Sequence, residues 1–392
     1  MKPRLYVDNA ATSFPKPPCV FEAMQRYAHD LGASAGRGAY REAILTGQIL
    51  SDCRVRLAKL IHAEDADHIV FTHNCSWALN QAIKGWLRPG DHVVATTMEH
   101  NSVLRPLHAL ATEGGVETTY VPADPATSIV DVDRVFEAVR PNTALIAVLH
   151  ASNVTGALQP VGQIGTRARS RGIPLLVDAA QTVGHVPIDV QAMSIDFLAL
   201  PGHKGLMGPL GTGALYIRPT LASRLRPIAE GGTGSISEQP VQPEFMPDKF
   251  EPGSHNAVGL AGLAAALRWL EERTVESLRL HDTHLSAAFL DQTRNVDGLT
   301  VYGPNDPQDR VAVFSVRVDG FGPTELAATL ESTCGILTRP GIHCAPLAHQ
   351  TIGTTPCDGT TRLSFGAYNT EADVRRCAEA LRRLAQAHVA AH

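Results

Sequence analysis

The sequence predicts an α/β fold, a mainly parallel sheet covered by helices on both faces and followed by a smaller α+β lobe. Three observations predict it. From about residue 50 to 220 short apolar runs alternate with amphipathic stretches, the rhythm of strand and crossover helix. A Gly-, Pro- and Ser-rich segment at 231–256, GGTGSISEQPVQPEFMPDKFEPGSHN, then interrupts the pattern. Beyond about residue 297 the strands become short and the helices amphipathic, as in an α+β unit.

In order, DHIVFT precedes the helical SWALNQAIKGWL, DHVVATT precedes NSVLRPLHALATEG, and VETTYVP precedes DVDRVFEAVR. TALIAVLH, VGQIGTRARSRG and PLLVD continue the alternation. Strands this apolar are buried on both faces, which is the condition of parallel sheets. GLAGLAAALRWLEER predicts a long helix and the residues after it another, to about residue 294, then LTVYG and VAVFSV as strands, with TELAATLES and EADVRRCAEALRRLAQA as helices. In such a fold chemistry gathers where the carboxyl ends of the strands meet the loops.

The 392 residues carry a net charge of -5, which gives neither nucleic acid nor an anionic membrane a reason to bind and leaves a small molecule as the expected partner. No apolar run approaches the roughly 20 residues of a membrane span, and the start, MKPRLYVDNAATSFPKP, lacks a secretory h-region, so a cytoplasmic location is expected. Seven cysteines, at 19, 53, 75, 334, 344, 357 and 377, are odd in number and scattered, unlike a disulfide framework.

Several strand ends carry polar groups that a structural sheet does not require. PLLVD ends in Asp178, with Gln181 close behind; by itself the carboxylate reads more often as a helix cap or turn residue. DFLALPGHKGLMGPLGTGALYI holds one lysine, Lys204, directly after His203 in a Gly-rich turn between apolar strands, a setting that desolvates an amine. A lysine and an aspartate at neighbouring strand ends suit pyridoxal phosphate (PLP), which needs an amine for a Schiff base and a carboxylate on its ring nitrogen. The turn THNCSWALN opens a helix, placing the N–H groups of Cys75 and Ser76 where an anion would bind, although Asn74 or Ser76 is also an ordinary N-cap. TTMEHNSVL places His100 at another strand end, where an imidazole could lie on a cofactor ring or simply pack. TRPGIHCAPLAH leaves Cys344 as metal ligand, nucleophile or packing residue; His343, Cys344 and His349 offer three ligands where a structural zinc site wants four.

The succession DNAAT (8–12), MEHNS (98–102), SNVTG (152–156), VDAAQ (177–181), GHKGLMGPLGTG (202–213), FEPGSHN (250–256), RPGIHCA (339–345) and RLSFGAYNT (362–370) resembles the class V aminotransferase family, in its cysteine desulfurase and selenocysteine lyase branch, over essentially the whole chain. The resemblance implies PLP-dependent transferase fold type I with a seven-stranded, mainly parallel sheet. It implies a large PLP-binding domain at 16–260 and a small domain from 1–15 and 275–392, linked by a long helix around 257–294.

It further implies roles. Lys204 would form the Schiff base, Asp178 would pair with the pyridine nitrogen, Gln181 would donate to the phenolic oxygen and His100 would stack on the ring and move protons. Cys75, Ser76 and His203 would bind the phosphate, and Ser254 the phosphate of a neighbouring subunit's cofactor in a homodimer. Arg362, helped by Asn153, would clamp the substrate carboxylate, and Cys344 would accept sulfur from L-cysteine, leaving alanine. No metal is implied. Arg339 and His343 become candidates to favour the Cys344 thiolate, while His349 keeps a structural reading.

Two departures from the family's pattern stand out. Pro201 replaces the usual hydroxyl residue before Gly-His-Lys, and Cys75, Ser76 and Trp77 replace Ala-Thr-Glu, which makes Trp77 a candidate for the substrate side. The short spacing from Cys344 to Arg362 resembles the compact-loop (SufS-like) group, so a sulfur-acceptor protein or a small thiol is expected to unload the persulfide. Selenocysteine lyase, another PLP-dependent C–S lyase and a class V aminotransferase are the alternatives, with zinc binding by HCAPLAH a reading of a different class.

Overall fold

A computed structural model describes residues 4–35 and 38–389. The chain begins with β1 (Leu5–Tyr6), α1 (Pro18–Arg26) and α2 (Arg41–Leu60). The alternating region follows as β2 (Ile69–Thr72), α3 (Cys75–Trp86), β3 (His92–Thr96), α4 (Asn101–Gly114), β4 (Glu117–Val121), α5 (Val132–Glu137), β5 (Thr143–Leu149), α6 (Val161–Ser170), β6 (Leu175–Asp178), β7 (Phe197–Pro201) and β8 (Gly213–Ile217). Next come α7 (Ala257–Arg273), α8 (Val275–Thr293), β9 (Leu299–Val301), β10 (Val313–Val318), α9 (Pro323–Cys334), β11 (Ile336–Leu337), β12 (Arg339–Gly341), α10 (Pro346–Thr351), β13 (Thr360–Ser364) and α11 (Glu371–Val389).

Seven strands form one sheet in the order β2-β8-β7-β6-β5-β3-β4. β8 alone runs against its neighbours, pairing antiparallel with β2 and β7, while the remaining pairings are parallel. Side chains alternate across it. Val70, Val93, Leu145, Leu176, Phe197 and Leu215 join one core with α3, and Ile69, Val94, Ile146, Leu175, Leu198 and Ala214 join another with α2, α6 and α7. A period of two with both faces covered is why these runs read as continuously apolar.

The C-terminal strands form an antiparallel sheet, β12-β13-β10-β9, whose core holds Phe289, Phe314, Leu330, Leu363 and Leu381. β1 pairs in parallel with β11, and Leu5 and Val7 enter that same core, so the first residues belong with the last. The helical run over 257–294 is two helices: Thr274 adopts φ 61, ends α7 and caps α8 by accepting the Ser277 N–H. The positive φ at Thr274 breaks the ladder there, so the linker that the resemblance implied as one long helix is two.

Candidate active site

β6 delivers Asp178, and β7 delivers Pro201 into the turn that carries His203 and Lys204. These residues line one cleft with Asn74, Cys75, Ser76, His100, Ser102, Asn153 and Gln181. All but one of the cofactor-site residues expected from the sequence therefore converge. Asp178 is 5% exposed, and its Oδ1 accepts the Ala180 N–H at 2.9 Å and the Cys75 thiol at 3.4 Å. Burial raises the Asp178 carboxyl, opposed by that N–H and by Lys204. Burial lowers the Lys204 amine, with Asp178 acting in the opposite sense. The pair thus holds a desolvated amine near a carboxylate, as the lysine's Gly-rich setting suggested.

His100 caps α4, its Nδ1 accepting the Ser102 N–H at 3.0 Å, which puts the proton of the neutral ring on Nε2. Burial, then the nearby cations Lys204, Arg339, Arg362 and Arg105, lower its pKa to about 3. The Gln181 amide donates to the Ala10 carbonyl at 3.0 Å. Asn74 caps α3 by accepting the Trp77 N–H at 2.9 Å, which leaves Cys75 and Ser76 at the positive end of a twelve-residue helix facing the cleft. The Ser76 and Ser102 hydroxyls are 2.6 Å apart. Ser102 is a cleft residue the sequence reading passed over, although it stands within the quoted MEHNS.

Two expected contributors lie elsewhere. Ser254 is exposed and lines a separate cleft with Trp77, His73 and Asn256, away from the Lys204 of its own chain. Trp77 is 41% exposed and packs edge-on against His73, so it does not line the Lys204 cleft. One residue later on α3 than Ser76, it is rotated about 100° around the axis, off the cleft-facing side.

Cys344 lies between β12 and α10. Its exposed thiol lines a groove continuous with the cleft through Ser76, His100 and Ser102. Its carbonyl accepts the Asn101 N–H at 2.7 Å, tying it to the start of α4, and an Arg339 nitrogen lies 3.7 Å from its sulfur. Arg339 is thus the charged group placed beside the sulfur. His343 carries no charge there: burial first, then Arg362, depresses its pKa to about 2, and its Nε2 donates to the Arg339 carbonyl at 2.9 Å. His343 and His349 face each other at 3.3 Å, while Cys344 turns toward Arg339, so the three do not converge on a point. Among the described residues no group of three or more His, Cys, Asp or Glu side chains could hold a metal ion, and no helix is long and apolar enough to cross a membrane.

β13 supplies Arg362, 1% exposed, which donates to Asp8 Oδ1 at 2.7 Å and to the Asn153 carbonyl at 3.1 Å. Its Nε is buried and unpartnered, as is Asn153 Oδ1. The Asn153 amide gives one N–H to the His343 carbonyl at 2.7 Å, which leaves its second N–H and the unpartnered Oδ1 for a ligand. Asp8 was missed as a site residue because its partner is far along the chain.

Buried polar atoms without a partner call for a ligand. An open guanidinium edge asks for an anion such as a carboxylate; an isolated amine, a buried aspartate, a neutral imidazole and a helix N-terminus suit a phosphorylated aromatic aldehyde. These residues therefore fit PLP.

An α/β sheet with its polar groups at the strand carboxyl ends, closed by an antiparallel lobe that supplies an arginine and a cysteine, defines a class of two-part enzyme folds. The chain belongs to the class V aminotransferase family, whose description, "Aminotransferase class-V", matches residues 5–377. A probable cysteine desulfurase of Methanothermobacter thermautotrophicus is 36% identical, the match covering 98% of this chain and 96% of that protein. A cysteine desulfurase of Haloferax volcanii is 31% identical over 97% of this chain and 89% of its own length. The apo structure of a cysteine desulfurase from Thermococcus onnurineus superposes with a TM-score of 0.90 at 32% identity, covering 98% of this chain and 95% of that one.

Proposed function

We propose that the protein is a PLP-dependent cysteine desulfurase that converts L-cysteine to L-alanine and takes the sulfur onto Cys344 as a persulfide. The observation that carries the proposal is the exposed Cys344 thiol, beside Arg339, in a groove that shares Ser76, His100 and Ser102 with the Lys204–Asp178 cleft. Full-length similarity to proteins named cysteine desulfurase supports it.

When bound, PLP supplies an electron sink for carbanionic charge at the substrate α-carbon. Lys204, its amine lowered by burial, would hold the cofactor and could move protons at Nζ. Asp178 would keep its ring nitrogen protonated, and Gln181 would donate to its phenolic oxygen. Ser76, His203 and the α3 N-terminus around Cys75 would bind its phosphate. His100 would stack on its ring and carries an exchangeable proton at Nε2. Arg362 binds the substrate carboxylate through its unpartnered edge, helped by the second amide N–H of Asn153. Cys344, as thiolate, attacks the substrate sulfur. The S–S bond forms as the Cβ–S bond breaks, its electron pair stays with the carbon skeleton, and protonation gives alanine.

Ser254, remote from Lys204 in its own chain, serves a neighbouring copy in a homodimer; its cleft adjoins Leu210, 67% exposed. Cys344 sits on a short connection tied to Asn101 and Asn153, so it does not travel, and a small thiol or an acceptor protein must take the sulfur.

The test is Cys344→Ala with L-cysteine. The parent gains one sulfur atom by intact mass and releases alanine; the variant does neither at a measurable rate. Alanine and sulfide appearing at the parental rate would overturn the proposal.

A further inference from the structure

The acceptor cysteine is held in a backbone conformation that requires outside support. His343 has φ 51 and Cys344 φ 59, two consecutive non-glycine residues in the left-handed region. L-residues enter it singly and at a cost. The turn is closed by the Ala345 N–H to the Ile342 carbonyl at 3.0 Å, and its carbonyls are held by Asn153 and Asn101.

A further set of bonds runs beneath it. His343 is 3% exposed and His349 is fully buried. His343 Nε2 lies 2.9 Å from the Arg339 carbonyl, His343 Nδ1 lies 3.3 Å from His349 Nε2, and His349 Nδ1 lies 2.7 Å from the Thr354 hydroxyl. A carbonyl only accepts, so His343 carries its proton on Nε2, and burial keeps the ring neutral. Its Nδ1 must then accept, which puts the His349 proton on Nε2 and turns the Thr354 O–H to His349 Nδ1 at 2.7 Å in preference to the His349 carbonyl at 3.3 Å. Donors point one way along the whole chain, from Thr354 to the backbone of Arg339, the residue whose guanidinium meets the Cys344 sulfur.

We infer that His349 is a positioning residue for the acceptor thiol: with Thr354 it fixes the His343 ring, and through it the left-handed His343–Cys344 pair and the placement of Arg339 beside the sulfur. The inference rests on the reading of Cys344 as the acceptor. Without His349, His343 Nδ1 loses its donor, the ring is released from Arg339, and the turn is free to leave the left-handed region. Arg362, on the neighbouring strand, keeps its bonds to Asp8 and to the Asn153 backbone carbonyl.

The experiment uses the PLP-loaded enzyme and compares His349→Ala, His349→Gln, which restores an N–H near the Nε2 position, and Thr354→Val. Turnover of L-cysteine is measured together with the rate at which iodoacetamide labels Cys344, followed by peptide mass. Cys344 is the exposed cysteine, so labelling reports on it in any folded variant, with or without turnover. A thiol misplaced by about 1 Å can cost up to about a hundredfold. His349→Ala is expected to lower kcat by at least about tenfold within that bound, to leave the KM for L-cysteine within about twofold and to change the labelling rate; His349→Gln recovers most of kcat. A purely structural residue would shift the unfolding midpoint without this split. If folded His349→Ala matches the parent in kcat and labelling, the inference is overturned. If His349→Ala does not fold, Thr354→Val decides: a lowered kcat with unchanged KM supports the inference, and parental behaviour sinks it. Should Cys344→Ala retain turnover, the proposed function fails while the labelling rates still report on positioning.

Discussion

Arg362→Lys separates the substrate clamp from mere positive charge. Arg362 spends one nitrogen on Asp8 at 2.7 Å and another on the Asn153 carbonyl at 3.1 Å, leaving Nε open. The open edge, Nε with the second proton of the Asp8-bound nitrogen, can take a carboxylate bidentately. A lysine keeps the charge, but its single ammonium pairs with Asp8 and presents no second edge. A hydrogen bond to a charged group contributes about 1.5–3 kcal/mol. Losing one of the two therefore lowers kcat/KM by about ten- to a hundredfold, at about 1.4 kcal/mol per factor of ten. The assay is alanine formation from L-cysteine, with cysteamine, which has the amine and thiol but no carboxylate, consumed in parallel. Cysteamine should be affected less than about threefold, since it never used the bidentate contact. Equal losses on both substrates, or none on L-cysteine, refute the assignment of Arg362 as the clamp.

Two further predictions concern the scaffold around the site. Glu99 is fully buried, with Oε1 bonded to Thr96 and the Leu149 N–H and Oε2 unpartnered, and burial raises its pKa to about 8. The folded value lies above the unfolded one, so its contribution to stability is complete below about pH 4.5 and is lost as pH rises toward about 8. Glu99→Gln removes that dependence, and its unfolding midpoint in urea relative to the parent should climb between pH 5 and pH 9; a constant difference would contradict it. Glu251 accepts two hydrogen bonds from Arg54, at 2.8 and 2.9 Å, and the Phe71 N–H at 2.6 Å, with both charged side chains buried. Glu251→Ala leaves that guanidinium uncompensated and should cost about 3–5 kcal/mol in denaturant unfolding. Arg54→Met combined with Glu251→Gln should recover more than half, and failure to do so would mean the pair itself, not the stranded charge, sets the loss.

Much of the protein is legible without its tertiary structure, because the legible parts are local. Apolar runs with a two-residue alternation become strands buried on both faces, and the polar residue that closes each run, Asp178, His100 or Lys204 after Pro201, arrives at the sheet's carboxyl edge by chain geometry alone. The Gly-rich turn after β7 and the helix opening at Cys75 carry their chemistry in neighbouring residues.

What the sequence could not reveal is pairing across distance. Asp8 meets Arg362 354 positions away, and Asn153 meets the carbonyl of His343 190 positions away. No periodicity encodes either; each follows from β1 pairing with β11 and from the C-terminal sheet closing over the large one. Trp77 was a candidate for the substrate side, and the rotation of one helical residue sends it to the Ser254 cleft. HCAPLAH allowed a zinc site by spacing, and the left-handed turn at His343 and Cys344 separates its groups, sending the thiol to Arg339 and the histidines to each other. The residue types and their order determined the fold and the kind of chemistry. Only the packed structure decided which partners each charged or nucleophilic group has, because those partners are chosen by strand order and buried hydrogen bonds, not by neighbours in the chain.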